Sequence, residues 1–473
     1  MENPSDRSVV TRVAEGGPAD IELALDAAHR VHAAGTWRNM DPRARAKILE
    51  KAAEILSTRI ESIAALESLQ TGRPIKEMTA QLRRLPEWFQ YFAALIRTQE
   101  GTCPPFLGNY LNYVRRVPLG VVAQITPWNH PLLISIKKLA PAIATGNCVV
   151  MKPSELAPVA PLLLARILHE AGLPNGVFNV VSGLGAAAGA ALCGSPRVKL
   201  VDLTGGTPTG RIVAAAAGRN LASCVMELGG KAPVIVFEDA DVDNAVNGAA
   251  FAAFIASGQT CIAGSRILVH KDIYDEFTTK LVAKVKSIKI GLPSDLSTQL
   301  GPVICGPQLN KIDGMCRQAE EEGATILTGG KRVSAEPFSH GYYFEPTVIA
   351  VETRHTVWRE EVFGPVTVII PFGSEDEAVR WRTCVQYLPA LLTPCFRFAW
   401  RTIHLSDWLH PFGLGRFREH TVLRIRWTLV WCGLMITTET TLHPLGEGPK
   451  ILVLVVRMDW RLFASTLRHT ASL

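Results

Sequence analysis

The chain has 473 residues, 48% of them hydrophobic and 19% charged, with a formal net charge of +6. That is ordinary globular composition, long enough for two or three domains with sizeable cores. The ten cysteines form no CxxC pair, which argues against a zinc site or a disulfide framework and for reduced thiols in the cytoplasm. The first residues carry no apolar signal core, and no apolar run is long enough to span a bilayer. The basic excess is local. From Trp381 onward ten arginines and one lysine face five acids, so the body is close to neutral and offers no case for nucleic-acid binding.

Apolar residues at helical spacing predict a helix over 19–33, a second from Asp41-Pro42 through Leu56, and another stretch over 78–96. Gly108 to Pro118 alternates like a strand that ends in a turn. From Val121 the pattern changes. Short apolar strands at 121–125, 149–151, 177–181, 199–203 and 234–237 alternate with helices at 132–145 and 158–171, which predicts a parallel sheet covered on both faces. Such sheets bind ligands beyond the carboxyl ends of their strands. Three motifs fall there: Thr126-Pro127-Trp128-Asn129-His130-Pro131, Met151-Lys152-Pro153-Ser154-Glu155, and Thr204-Gly205-Gly206-Thr207-Pro208-Thr209-Gly210 before a helix expected from Arg211. Glycines ahead of a helix N-terminus suit a pyrophosphate.

Two further segments carry reactive side chains, Met226-Glu227-Leu228-Gly229-Gly230-Lys231 and Gly258-Gln259-Thr260-Cys261-Ile262-Ala263-Gly264. Glycines let backbone approach a ligand closely. A cysteine attacks only as the thiolate and needs a device that lowers its pKa. No histidine lies between Glu227 and Arg266, so a helix start or a bound cation is the expected activator. Taken alone, Cys261 reads as a small buried hydrophobe and Glu227 as a solvated charge at a strand end. After Arg266 a second alternating unit follows, with a strand at 267–269, a helix at 272–287, a strand at 325–327, and loop blocks at 341–347 and Glu360-Glu361-Val362-Phe363-Gly364-Pro365.

These blocks, in this order, resemble the NAD(P)-dependent aldehyde dehydrogenase superfamily over residues 3–380. The resemblance implies an α/β fold with a Rossmann-type parallel-sheet cofactor domain (1–99 and 119–229), a projecting oligomerisation hairpin (100–118), an α/β catalytic domain (230–380, truncated), and further chain before Met1. It implies Cys261 as nucleophile, Glu227 as general base and Asn129 as an oxyanion donor. Cofactor contacts fall on Thr126, Pro127, Trp128, Lys152, Glu155, Gly205, Gly206, Gly210, Leu228, Gly229, Glu361 and Phe363. Glu155 favours NAD over NADP, because a carboxylate accepts ribose hydroxyls and repels a 2′-phosphate. The substrate is a small-molecule aldehyde, the product a carboxylic acid, and the assembly a homo-oligomer; no metal is implied. A CoA-acylating dehydrogenase and a catalytically impaired homologue are the alternatives.

Residues 381–473 depart from that pattern. They hold six of the ten tryptophans and five of the twelve histidines. Arg424 to Trp431 alternates like a strand, and Ile451 to Val456 is a short apolar run. The change is read as a shifted reading frame or retained intron, with an appended interaction segment as the alternative. The oligomerisation element is therefore expected to be incomplete.

Overall fold

The computed structural model describes residues 1–105 and 111–383, together with the backbone of three strands between 424 and 458. The chain opens with α1 (Pro18–Ala34) and α2 (Pro42–Thr71). Asp41 caps α2, its Oδ1 accepting from Arg43 N at 2.7 Å, and Gly72 closes it in the left-handed region at φ 78°. The apolar stripe of Leu49, Ala53, Leu56, Ile60 and Ile63 carries this helix well past Leu56. The stretch expected as one helix over 78–96 is two, α3 (Ile75–Leu82) and α4 (Pro86–Arg97). Pro86 brings no N–H and starts the new helix instead of continuing the old one.

The expected strand at 108–118 is not formed where the structure describes it. Residues 108–110 lie outside the described part, and 111–118 contain only a bridge from Val114 to Thr102. Leu111 is 81% exposed and Tyr113 65%. Among the described residues this bridge has no third strand or covering helix, and an isolated two-stranded pairing has little to hold it.

Next come β1 (Val121–Thr126), α5 (Pro131–Ala144), β2 (Cys148–Pro153), α6 (Val159–Glu170), β3 (Phe178–Val180), α7 (Ala190–Gly194), β4 (Leu200–Gly205), α8 (Thr207–Arg219) and β5 (Ser223–Leu228). The sheet order is β3-β2-β1-β4-β5, with every pair parallel. β1 and β2 are buried on both faces. One face packs on α2, α4, α5 and α6, the other on α1, α7 and α8. The register pairs Thr126 with Pro153, Ile125 with Leu203, and Thr204 with Glu227. The carboxyl ends of four strands are thereby brought to one edge. The order reverses between β1 and β4, which is where a crevice opens in such sheets.

A second sheet is built from β6 (Pro233–Val236), β7 (Arg266–His270), β8 (Thr325–Thr328), β9 (Thr347–Ala350) and β10 (Val366–Phe372), in the order β6-β7-β10-β9-β8 with only β8 antiparallel. It is flanked by α9 (Val242–Phe254) and α10 (Tyr274–Lys286) on one side, and by α11 (Gly306–Glu321), α12 (Thr356–Arg359) and α13 (Glu375–Thr383) on the other. The buried Arg266, first residue of β7, ties α13 down: its Nη1 and Nη2 donate to Trp381 O at 3.1 Å and Arg382 O at 3.0 Å. The stretch at 424–431 is a strand, β11 (Arg424–Trp431), as its alternation predicts; it pairs antiparallel with β12 (Leu434–Thr441), and β12 with β13 (Val455–Met458). Ile451 to Leu454 of the expected apolar run lie outside the described residues.

One buried acid supports the start of α5. Glu67 is fully buried, and its Oε1 accepts from Leu132 N at 2.7 Å. Burial pushes its pKa from 4.5 to about 7, against the pull of that bond and of Arg73. The folded protein thus holds the proton more tightly than the unfolded chain does. The associated stability is complete below pH 4.5 and is lost as pH rises through about 7. The difference is on the order of 3 kcal/mol. Glu67→Gln keeps an acceptor for Leu132 and cannot ionise, so its melting temperature should fall less than the parent's between pH 5 and pH 8. Parallel thermal melts would check this; equal slopes would refute it.

Candidate active site

Cys261 lies in a turn that the backbone reaches only under strain. After α9 ends, Ala256, Ser257 and Gly258 all take positive φ, at 54°, 53° and 69°. For the two residues with side chains this costs on the order of 1–3 kcal/mol each and needs fastening from outside. Ala256 N donates to Glu77 Oε2 at 3.1 Å, Ser257 Oγ to Gly301 O at 3.0 Å, and Ile304 N to Gln259 Oε1 at 3.0 Å. Gln259 O accepts from Asn129 Nδ2 at 2.8 Å, so the buried amide from the end of β1 is bonded two residues from the thiol. The expected helix start at Cys261 is absent. The preceding elements, α9 and the short turn 255–258, both end before it and leave no N-terminal dipole to favour a thiolate. The thiol pKa is raised instead, first by burial, then by the nearby carboxylates of Glu361 and Glu227.

Around this loop the first sheet contributes its carboxyl edge. Glu227 and Leu228 end β5, half-buried. The Trp128 ring meets the Phe363 ring edge-on at 5.4 Å, and Phe363 itself holds φ 59°. Gly230 N donates to Glu361 Oε1 at 3.1 Å, and a Cβ on Gly229 would stand 2.1 Å from Glu361 Oε2, so a side chain at 229 would displace that carboxylate. Burial raises the Glu361 pKa, while Gly230, Lys311 and Lys231 oppose it. Lys231 is buried with no hydrogen-bond partner for its Nζ among the described residues, and burial lowers its pKa to about 7. The second sheet presents the opposite edge. Cys261, Glu361 and Phe363 precede β7 and β10, so they meet the first sheet from strand amino ends.

The remaining candidates flank β1 at the same edge. Lys152 Nζ pairs at 3.0 Å with the half-exposed carboxylate of Glu155, so these two are bonded to each other rather than to the Cys261 loop. Gly205 ends β4, and α8 begins at Thr207 rather than Arg211, so the loop is reduced to Gly206 and Gly210 is buried inside the helix against Leu228. Pro208 supplies the fixed φ of a helix start, which explains the earlier onset. Gly206 caps the thirteen-residue helix without a side-chain bond, leaving first-turn N–H groups at a strand end. Thr126, which ends the neighbouring strand β1, has a buried Oγ1 that lacks a partner among the described residues. Exposed helix N–H groups, unpaired buried polar atoms and a close-set glycine are what a dinucleotide with a pyrophosphate requires. No group of three or more metal-ligating side chains occurs among the described residues.

A model of the aldehyde dehydrogenase family matches residues 1–387. This chain belongs to the aldehyde dehydrogenase family. Betaine aldehyde dehydrogenase from Rhizobium leguminosarum bv. trifolii (strain WSM2304) is 43% identical over 381 residues, which are 80% of this chain and 77% of that protein. Among solved structures, betaine aldehyde dehydrogenase from Staphylococcus aureus in complex with NAD+ shares the fold at TM-score 0.80 and 38% identity, covering 81% of this chain and 77% of the other. PnpE in complex with nicotinamide adenine dinucleotide matches at TM-score 0.79 and 41% identity, covering 80% and 78%. The protein is thus an aldehyde dehydrogenase in family and fold, an NAD(P)-dependent oxidoreductase of aldehydes. No helix among its described residues is long and apolar enough to cross a membrane.

Several residues of this aldehyde dehydrogenase's site give no sequence signal. Arg73, Glu77 and Gln81 come from the break between α2 and α3 and from α3 itself, far from every motif. Lys311, on α11, donates to Glu361 O at 2.8 Å. The Thr-Gly-Arg-Pro break at 71–74 marks a turn, but nothing local tells which loop the arginine will reach.

Proposed function

We propose that this chain oxidises an aldehyde to a carboxylic acid through a covalent adduct on Cys261. The observation that supports it most is the convergence of Cys261, Asn129 and Glu227 from three separate elements, with Asn129 bonded to the Cys261 loop. The Cys261 thiolate attacks the aldehyde carbon, giving a thiohemiacetal. One N–H of the Asn129 amide goes to Gln259 O; the second, with the Cys261 backbone N–H, serves the oxyanion. NAD, when bound, supplies the hydride acceptor and a positive ring that favours the thiolate. Glu227 takes a proton from water, which attacks the resulting thioester, releases the acid and restores the thiol. Thr126, Pro127, Trp128, Leu228, Gly229, Glu361 and Phe363 would hold the nicotinamide half, Gly205, Gly206 and Gly210 the pyrophosphate, and Lys152 and Glu155 the adenosine ribose. Glu155 would set the preference for NAD over NADP. In this reading residues 1–99 and 119–229 form the cofactor part and 230–380 the catalytic part.

Glu227 favours water over CoA as the acceptor. Glu227→Gln should therefore leave a rapid burst of NADH and depress the steady rate by about 10²-fold or more. Rapid mixing with NADH absorbance as the signal resolves the two phases; equal loss of both would count against the general-base role.

A second reading concerns the tail. The family match ends at residue 387, and the matched part covers about three-quarters of the relatives' length. We infer that a chain with the atypical segment 381–473 as its C-terminal part turns over slowly and does not form the homo-oligomer expected of the family. A chimera carrying the C-terminal segment of the Rhizobium relative after Arg380 should regain assembly and rate. Matching size-exclusion profiles and matching NADH production from the two proteins would overturn this reading.

A further inference from the structure

His130 follows the proposed oxyanion donor, is 7% exposed, and has no part in the reaction as written above. Its ring stands between two elements. Nδ1 is 2.7 Å from Arg73 Nη1, and Nε2 is 3.1 Å from Thr260 Oγ1, the residue before the nucleophile. A guanidinium only donates, so Nδ1 accepts, the hydrogen sits on Nε2, and Nε2 donates to the threonine hydroxyl. Burial and the cations of Arg73 and Lys137 push the His130 pKa well down, which keeps the ring neutral and this tautomer in place. Gln81 Oε1 completes the setting: it accepts from Arg73 Nη1 at 3.0 Å and lies 3.1 Å from His130 Nδ1, so the two acceptors share the Nη1 hydrogens.

Arg73 reaches the loop a second way. Its Nη2 pairs with Glu77, whose other oxygen accepts from Ala256 N at 3.1 Å. The two attachment points are Ala256, the first of the positive-φ residues, and Thr260, which follows them ahead of Cys261. A strained segment keeps its shape only while something outside over-determines it.

We propose that His130 is a positioning residue for Cys261: braced by Arg73, it donates to Thr260 and fixes the thiol's place beside Asn129. The proposal rests on Cys261 being the nucleophile. His130 touches neither Cys261 nor substrate; it acts through the loop.

The test uses the full chain with NAD and a simple aldehyde. His130→Phe keeps a ring and removes both hydrogen bonds. It should lower kcat by about 10²-fold, the usual cost of a misplaced reacting group, with KM changed by no more than about threefold. His130→Gln, which retains a donor at the Nε2 position, should recover most of kcat. Thr260→Val should reproduce the phenylalanine loss, Thr260→Ser should not, and the double variant His130→Phe/Thr260→Val should be no slower than either single one. Additive losses, a loss confined to KM, or no recovery with glutamine would overturn the proposal. If His130→Phe fails to fold, the Thr260→Val and Thr260→Ser pair decides alone. Cys261→Ser is assayed alongside. Turnover in that variant would remove the nucleophile and the proposal together; an inactive Cys261→Ser with unaffected His130 and Thr260 variants would remove only the positioning role.

Discussion

Cys261→Ser is expected to cut aldehyde oxidation by on the order of 10³-fold or more while NAD still binds. The exchange is nearly isosteric, so the turn, the Asn129–Gln259 bond at 2.8 Å and the Glu361–Gly230 bond at 3.1 Å all survive it. What changes is the nucleophile. A serine hydroxyl needs a strong adjacent base, and the carboxylates near this position, Glu361 and Glu227, already push a thiol's pKa upward. An alcohol, far harder to ionise, would remain protonated. NADH production and NAD binding, followed by quenching of protein fluorescence, separate the two effects. Turnover within about tenfold of the parent would show that Cys261 is not the attacking group.

Gly258→Ala should be nearly as damaging, for a mechanical reason. Gly258 holds φ 69°, where a Cβ alone costs about 1–2 kcal/mol. That Cβ would stand 1.9 Å from Gly364 O and 2.4 Å from Gly364 C, which are backbone atoms and cannot swing aside. Either the Cys261 loop or the 360–365 loop has to move, and both carry proposed site residues. A displacement of about 1 Å at the reacting centre costs on the order of 10²-fold in rate. The variant should therefore lose both kcat and melting temperature. Gly218→Ala, in α8 with nothing within 4 Å of the added carbon, is the matched control and should be close to neutral. A fully active, equally stable Gly258→Ala enzyme would show that this contact does not set the loop.

The family and the α/β fold are legible in the sequence because their signals are local. Buried parallel strands such as β1 and β2 are unbroken apolar runs, and helices such as α1 end at glycines that tolerate positive φ. The motifs are legible for the same reason: a glycine needed for close approach, such as Gly229 against Glu361, leaves its mark beside the residue it serves. Where a local signal competes with context, context prevails. Pro86 splits one apolar stretch into two helices, Pro208 draws the start of α8 forward to Thr207, and the alternation at 111–118 forms only the Thr102–Val114 bridge among the described residues.

The environment of the thiol has no such local mark. Cys261 stands after two helical elements rather than before one, and its thiol pKa is raised by burial and then by Glu361, from a loop a hundred residues later. The brace behind it joins Arg73, His130 and Thr260, residues 57 and 130 positions apart. Nothing in the composition near any of the three marks such a contact, because a hydrogen bond across that separation is fixed by how the two sheets meet and not by any period along the chain. The order of residues specifies the elements, the family and the side chains available for chemistry. The packing of one sheet's carboxyl edge against the other's amino edge selects which of those side chains lie together, and at what charge.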